Sequence, residues 1–175
     1  MEVEQAILTR RSIRKYTDED VTDEQIDKIL QAAYWAPRVN ERWVFIVVRD
    51  KNVHDILSKP APDRVQEHIA NAKVNIVVCI DLREAGPRDR ELYAMQEASG
   101  AIENMLLTIH DLGLGACWNA DFDEEKVKEA LNIPDGVKVI AIISIGHPAE
   151  QGKGIRRKKL EEVVHWEKYG NHSRP

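Results

Sequence analysis

Between residues 97 and 118 the chain reads EASGAIENMLLTIHDLGLGACW, with apolar side chains at Ala98, Ala101, Ile102, Met105, Leu106, Ile109 and Leu112. That three-and-four spacing predicts an amphipathic helix. Ala94 and Leu107 fall off the stripe, so the apolar surface is wider than one buried face requires. Two arrangements fit: a central core helix in a monomer, or a helix packed on its own sheet and on a second copy of itself. Gly113 lies where a left-handed C-terminal cap belongs, and the following ACW starts a buried strand.

The remaining pattern alternates helices and strands. Residues 3–10 form a short helix with Val3, Ala6 and Ile7 on one side, leading into the loop RRSIRKYT. Thr22 and Gln25 make a capping box ahead of a stripe at Ile26, Ile29, Leu30 and Ala33. Pro37 lies just past that helix. WVFIVV (43–48) and NIVVCID (75–81) are continuous apolar runs, as expected of strands covered on both faces. Residues 50–58 and 64–72 are predicted helical around the break KPAPD, and 82–90 is a charged loop containing Gly86-Pro87. Asp123 caps a helix reaching Leu131, and VKVIAIISIG is the longest strand candidate. The alternation predicts one α/β (α+β) domain over residues 1–175, three layers deep, with a mixed central sheet flanked by helices. Residues 148–175 are polar and need another surface to order them, which a partner subunit would supply.

Composition narrows the class. The 175 residues are 43% hydrophobic and 31% charged, ordinary for a globular domain with a sizeable core. No apolar run approaches the roughly 20 residues that span a bilayer, so no membrane partner is expected. The start, MEVEQAILTRR, has the wrong layout for a secretory signal. Cys79 and Cys117 are lone thiols in apolar surroundings, which points to a reducing cytoplasm. The six histidines (54, 68, 110, 147, 165 and 172) show no metal-ligand spacing and read as surface or supporting groups, so no metal is expected.

Charge is uneven. Arg10, Arg11, Arg14 and Lys15 form one basic cluster, and Arg156, Arg157, Lys158 and Lys159 another. Setting those aside leaves 17 basic residues against 30 acidic ones in a chain whose net charge is −5. An acidic body with two cationic spots lacks the broad basic face of a nucleic-acid binder. The clusters are either solvated surface patches or two halves of a site for one small anion, such as a phosphate monoester. No G-x-G-x-x-G follows the first strand, which argues against a Rossmann dinucleotide site.

Three segments, RRSIRKYTDEDVTDEQIDKILQAAYWAP, GAIENMLLTIHDLGLGACW and LEEVVHW, stand in one order and register. Together they resemble the nitroreductase family of FMN-dependent NAD(P)H oxidoreductases, over about residues 3–170. The resemblance implies a nitroreductase-like fold in which two chains form a homodimer, exchange their C-terminal tails and line two FMN sites together. By position, Arg10 and Ser12 would hold the FMN phosphate and ribityl chain, with Arg11 beside them and Arg14 near the pyrimidine end. Arg157, just before the L-E-E-V element, would reach the same phosphate, with Arg156 and Lys158 as neighbours. Main-chain N–H groups of Asn119, Ala120 and Asp121 would face the central ring. Pro37, Arg38 and Asn40 would border the pyrimidine edge, Asn40 from the partner subunit.

The chemistry of these residues agrees with that assignment. Guanidinium forks suit a phosphate carrying nearly two charges, and a fixed cation at the pyrimidine end stabilises a reduced flavin. The cofactor performs the reaction, so no side chain is assigned as catalytic. One segment departs from the family: after Ala36-Pro37 the chain reads Arg38-Val39-Asn40-Glu41-Arg42-Trp43, shorter than the usual polar run and without its Gln-Pro-Trp. Arg38 and Arg42 either favour an anionic substrate and reduced flavin, or pair with Glu41 and surface acids. The implied function is transfer of hydride from NADH or NADPH to a nitroaromatic, quinone or related acceptor by a ping-pong cycle. The alternative is a non-catalytic protein of the same fold that stores or senses FMN.

Overall fold

The longest element of the computed structural model, which describes residues 1–38, 41–61, 64–84, 90–154 and 156–175, is the helix expected at the centre. Starting earlier than its stripe, it runs over Arg90–Asp111. Ala98, Ala101, Ile102, Met105, Leu106 and Ile109 are all buried on it. Gly113 ends it at φ 74°, where its N–H and that of Leu114 bond back to His110 and Ile109. In chain order the helices are α1 (Val3–Thr9), α2 (Asp23–Tyr34), α3 (Lys51–Leu57), α4 (Glu67–Ala70), α5 (Arg90–Asp111) and α6 (Glu124–Leu131). The strands are β1 (Trp43–Val48), β2 (Val74–Asp81), β3 (Gly115–Asn119) and β4 (Val137–Gly146).

The strands form one sheet in the order β1-β2-β4-β3. Alternate side chains of β2 feed two cores, which makes the molecule three layers deep. Val74, Ile76, Val78 and Ile80 join α2 and α5 on one face, while Val77 and Cys79 pack with Leu57 and Val127 on the other. The register between β2 and β4 slips between Val78 and Cys79, leaving Ile140 as the extra residue of a bulge. Before that slip Val137 and Val139 pack in the second core, whereas past it Ala141, Ile143 and Ile145 pack in the first.

The α/β expectation holds, with three refinements. All three ladders within one chain are antiparallel, and among the described residues parallel pairing is limited to the bridge Ser12–Ala116. β1 is an edge strand, and Val44 and Val47 stay 39% and 38% exposed, so its apolar run does not mean cover on both faces. The helix expected over 64–72 shrinks to Glu67–Ala70, because Ala61 and Arg64 bridge and the Gln66 N–H bonds the Ser58 carbonyl at 2.7 Å.

Local signals set the other boundaries. The Thr22–Gln25 capping box is present in full, Asp50 caps α3 and Asp123 caps α6. Past Gly152, Arg157 lies beside Arg10 and Arg11 in one cavity wall. Further along the tail His165 stacks on Tyr169 at 4.6 Å and Arg174 lies 5.2 Å over Trp166. Leu160, Val163 and Tyr169 are exposed.

Candidate functional site

A strap at residues 10–17 carries the first basic cluster along the open edge of β3. The Ile13 N–H bonds the Ala116 carbonyl at 2.9 Å, Thr17 bonds His147 at 2.8 Å, and Ala149 bonds back to Lys15 at 2.9 Å. The tyrosine Oη of Tyr16 lies 2.9 Å from the Ile13 carbonyl, 3.1 Å from that of Ser144 and 3.0 Å from Ser144 Oγ. Burial pushes that phenol far above its ordinary pKa, so it stays protonated and serves as an anchor. Three glycines let the strap lie so close. A Cβ at Gly115 would stand 2.8 Å from Ile13, one at Gly146 would stand 2.8 Å from the Tyr16 ring, and one at Gly152 would meet Arg11.

Held this way, the strap places Arg10, Arg11 and Ser12 around a cavity of about 410 Å³ whose other described walls are Ile7, Leu8 and Arg157. Residues separated by most of the chain thus meet in one place. Their guanidinium groups are not equivalent. Arg11 donates to the Leu8 and Arg10 carbonyls at 2.9 and 2.8 Å, which caps the end of α1. Among the described residues Arg10 has one loose partner, Glu103, at 3.6 Å. Ser12 and Arg157 complete the donor set. Beside them His110 shares a 2.8 Å hydrogen bond with Thr9. Its pKa is lowered by burial first and then by the charges of Arg10 and Arg11.

The structure separates other expected residues from that cavity. Arg156 is exposed and is not among the described residues lining it. Arg14 borders a second cavity, of about 850 Å³, with Lys15, Arg49, Lys51 and Lys73, and its backbone N–H bonds Glu150 at 2.9 Å. Pro37 and Arg38 are exposed beyond α2. Arg38 forms an ion pair with Glu41, and Arg42 points at the carbonyls of Asp81 and Glu84 at 3.4 and 3.5 Å. Asn40 lies outside the described residues. Asn119 is the last residue of β3 and its carboxamide is buried, so only its main chain is available to a ligand. Ala120 and Asp121 follow, both exposed.

Sequence reasoning missed Glu103, Glu150 and His68 as neighbours of the site. Glycines at 115, 146 and 152 mark the close approach of the strap, whereas Glu103, Glu150 and His68 carry no such signal. Among the described residues no three His, Cys, Asp or Glu side chains are grouped to hold a metal ion, and no described helix is long and apolar enough to cross a membrane. Two guanidinium groups and a hydroxyl around a small cavity suit one compact anion, and a phosphate monoester matches them.

Comparison with known proteins bears on what such an anion would belong to. The model described as "Nitroreductase family" matches residues 7–147. A protein of Methanothermobacter thermautotrophicus, named provisionally as an NADH dehydrogenase/NAD(P)H nitroreductase, is 39% identical over 97% of this chain and 88% of its own length. The FMN reductase [NAD(P)H] of Bacillus subtilis is 30% identical over 97% of this chain and 75% of its own. Among solved structures, the FMN-dependent nitroreductase of Clostridium difficile R20291 superposes with a TM-score of 0.82 at 31% identity, covering 95% of this chain and 99% of that one.

Proposed function

The chain belongs to the nitroreductase family, and from that premise we propose that it is an FMN-dependent oxidoreductase taking hydride from NADH or NADPH. The acceptor is a nitroaromatic, quinone or related compound, reduced in the second half of a ping-pong cycle. The observation that carries this reading is the cavity at which Arg10, Ser12 and Arg157 meet. A flavin mononucleotide ends in a phosphate monoester, and this donor set fits it. When bound, the flavin supplies the hydride chemistry.

The chain's own residues bind and orient. Arg10 and Arg157 neutralise the phosphate and Ser12 donates beside them. Arg11 holds the end of α1 in place. Arg14 stands further along the strap as the cation for the pyrimidine end, where negative charge gathers on reduction. Main-chain N–H groups of residues 119–121 fix the ring without an acid or base side chain. Two copies assemble so that one chain completes the pyrimidine edge of the other's site, with residues 148–175 exchanged. The Arg38–Glu41 pair removes much of the charge that would have selected anionic acceptors. A reducing cytoplasm suits the two buried free thiols, of which Cys79 is pushed up to about 12 by burial.

The test is anaerobic. Protein loaded with FMN is expected to be yellow and to bleach on addition of NADH or NADPH, then to recover colour with a nitroaromatic or quinone. Yellow protein indifferent to both nucleotides would make it a flavin-binding protein without catalysis. Failure to retain FMN would overturn the reading.

A further inference from the structure

Three contacts reach the loop after β3 from the segment around α4. His68 Nε2 lies 2.6 Å from Asn119 Oδ1, Gln66 Nε2 donates to the Asp121 carbonyl at 2.5 Å, and Arg64 pairs with the Asp121 carboxylate. The carboxamide nitrogen of Asn119 donates to the Cys117 and Ile142 carbonyls at 3.0 and 2.9 Å. Its oxygen is therefore the acceptor, and His68 carries its proton on Nε2. The Asn119 side chain, 6% exposed, is tied at both ends.

That tie matters because of where the ladder stops. Asn119 pairs with Ile142 as the last residue of β3, and α6 begins only after its cap at Asp123. Between them Ala120 and Asp121 have no strand partner, so their N–H directions depend on the loop's anchors. A backbone donor contributes to a reaction only when its aim is fixed beforehand. The anchoring segment is itself fastened, through the Gln66 N–H to the Ser58 carbonyl.

We propose that His68, supported by Gln66 and Arg64, is a positioning residue that aims the main-chain N–H groups of Ala120 and Asp121 toward the flavin's hydride-accepting nitrogen. This rests on the functional reading above. It assigns no proton transfer to His68; the imidazole acts through Asn119.

The test uses the full chain with His68→Ala and His68→Gln, the latter retaining an N–H donor. Without flavin, NMR should show faster exchange of the Asn119 carboxamide protons in His68→Ala and shifted Ala120 and Asp121 amides. Loaded with FMN, the same variant should be reduced by NADH or NADPH about ten- to a hundredfold more slowly, with FMN affinity and donor KM little changed. His68→Gln should recover both properties. An Ala variant reduced as fast as wild type overturns the inference alone, as does a rate loss that tracks loss of FMN or of thermal stability. A wild-type chain that both nucleotides leave oxidised overturns the functional reading, and the inference with it.

Discussion

Two arginines adjacent in sequence do different work once their partners are counted. Arg11 spends its guanidinium on carbonyls at the end of α1, whereas among the described residues Arg10 keeps a single 3.6 Å contact with half-exposed Glu103. Arg10→Ala should therefore weaken FMN binding by about ten- to a hundredfold, the value of a charge-assisted hydrogen bond, with little change in melting temperature. Arg11→Ala should do the reverse, lowering stability by about 0.3–1 kcal/mol with a smaller effect on affinity. Fluorescence titration and thermal melts of both variants separate the roles.

His110 offers a reporter at the same scale. Burial and the Arg10 and Arg11 charges depress its pKa, so its contribution to stability is present above the ordinary imidazole value and is lost as pH falls through the depressed one. A phosphate among those arginines offsets their repulsion. NMR titration should find the His110 pKa rising on addition of inorganic phosphate or FMN; an unmoved value would place the anion elsewhere. The basic residues of the site were legible in the sequence, because the RRSIR and LEEV segments bring a family resemblance with them. The division between Arg10 and Arg11 was not, since the carbonyls that occupy Arg11 leave no mark on residue identity. Nor was His68, whose partner is 51 residues away.

Among the elements, the strap depends on small residues beneath it. Gly146 faces the Tyr16 ring so closely that a Cβ would stand 2.8 Å from it, and the ring is pinned by its hydroxyl to Ser144. Gly146→Ala should cost about 1–3 kcal/mol as an overpacked contact and weaken FMN retention along with it. Urea unfolding and flavin content after dialysis would check both. Helical periodicity made α2 and α5 readable, cap and stripe together, because 3.6-residue spacing and a capping box are local properties. The exposure of β1 was hidden, since WVFIVV looks the same at the edge of a sheet as at its centre. α4 was overestimated because the Gln66 N–H is taken by the Ser58 carbonyl, a partner outside the predicted helix.

At the scale of the whole molecule, apolar surface remains uncovered on one chain. Val3, Ile7 and Leu8 on α1, Leu92, Tyr93 and Met95 on α5, and Leu160 and Val163 in the tail are all exposed. In the proposed dimer a second copy would bury these patches and give a surface to a tail with no core beneath it, whereas Ala94 of α5 is already buried in the chain's own core. Truncation after Gln151 should then shift the protein from dimer to monomer in sedimentation and cut flavin retention sharply. A truncated chain that stays dimeric and yellow would remove the exchanged tail from the account.

The central claim is that the two ends of the chain close on the phosphate of one flavin. Calorimetric titration of the flavin-free chain with FMN and with riboflavin, which lacks only that phosphate, tests it most directly. Wild type should bind FMN at least about a hundredfold more tightly than riboflavin, given two charge-assisted contacts. The double variant Arg10→Ala/Arg157→Ala should lose that difference while still binding riboflavin. Equal wild-type affinity for the two flavins, or a phosphate preference that survives the double variant, would contradict it.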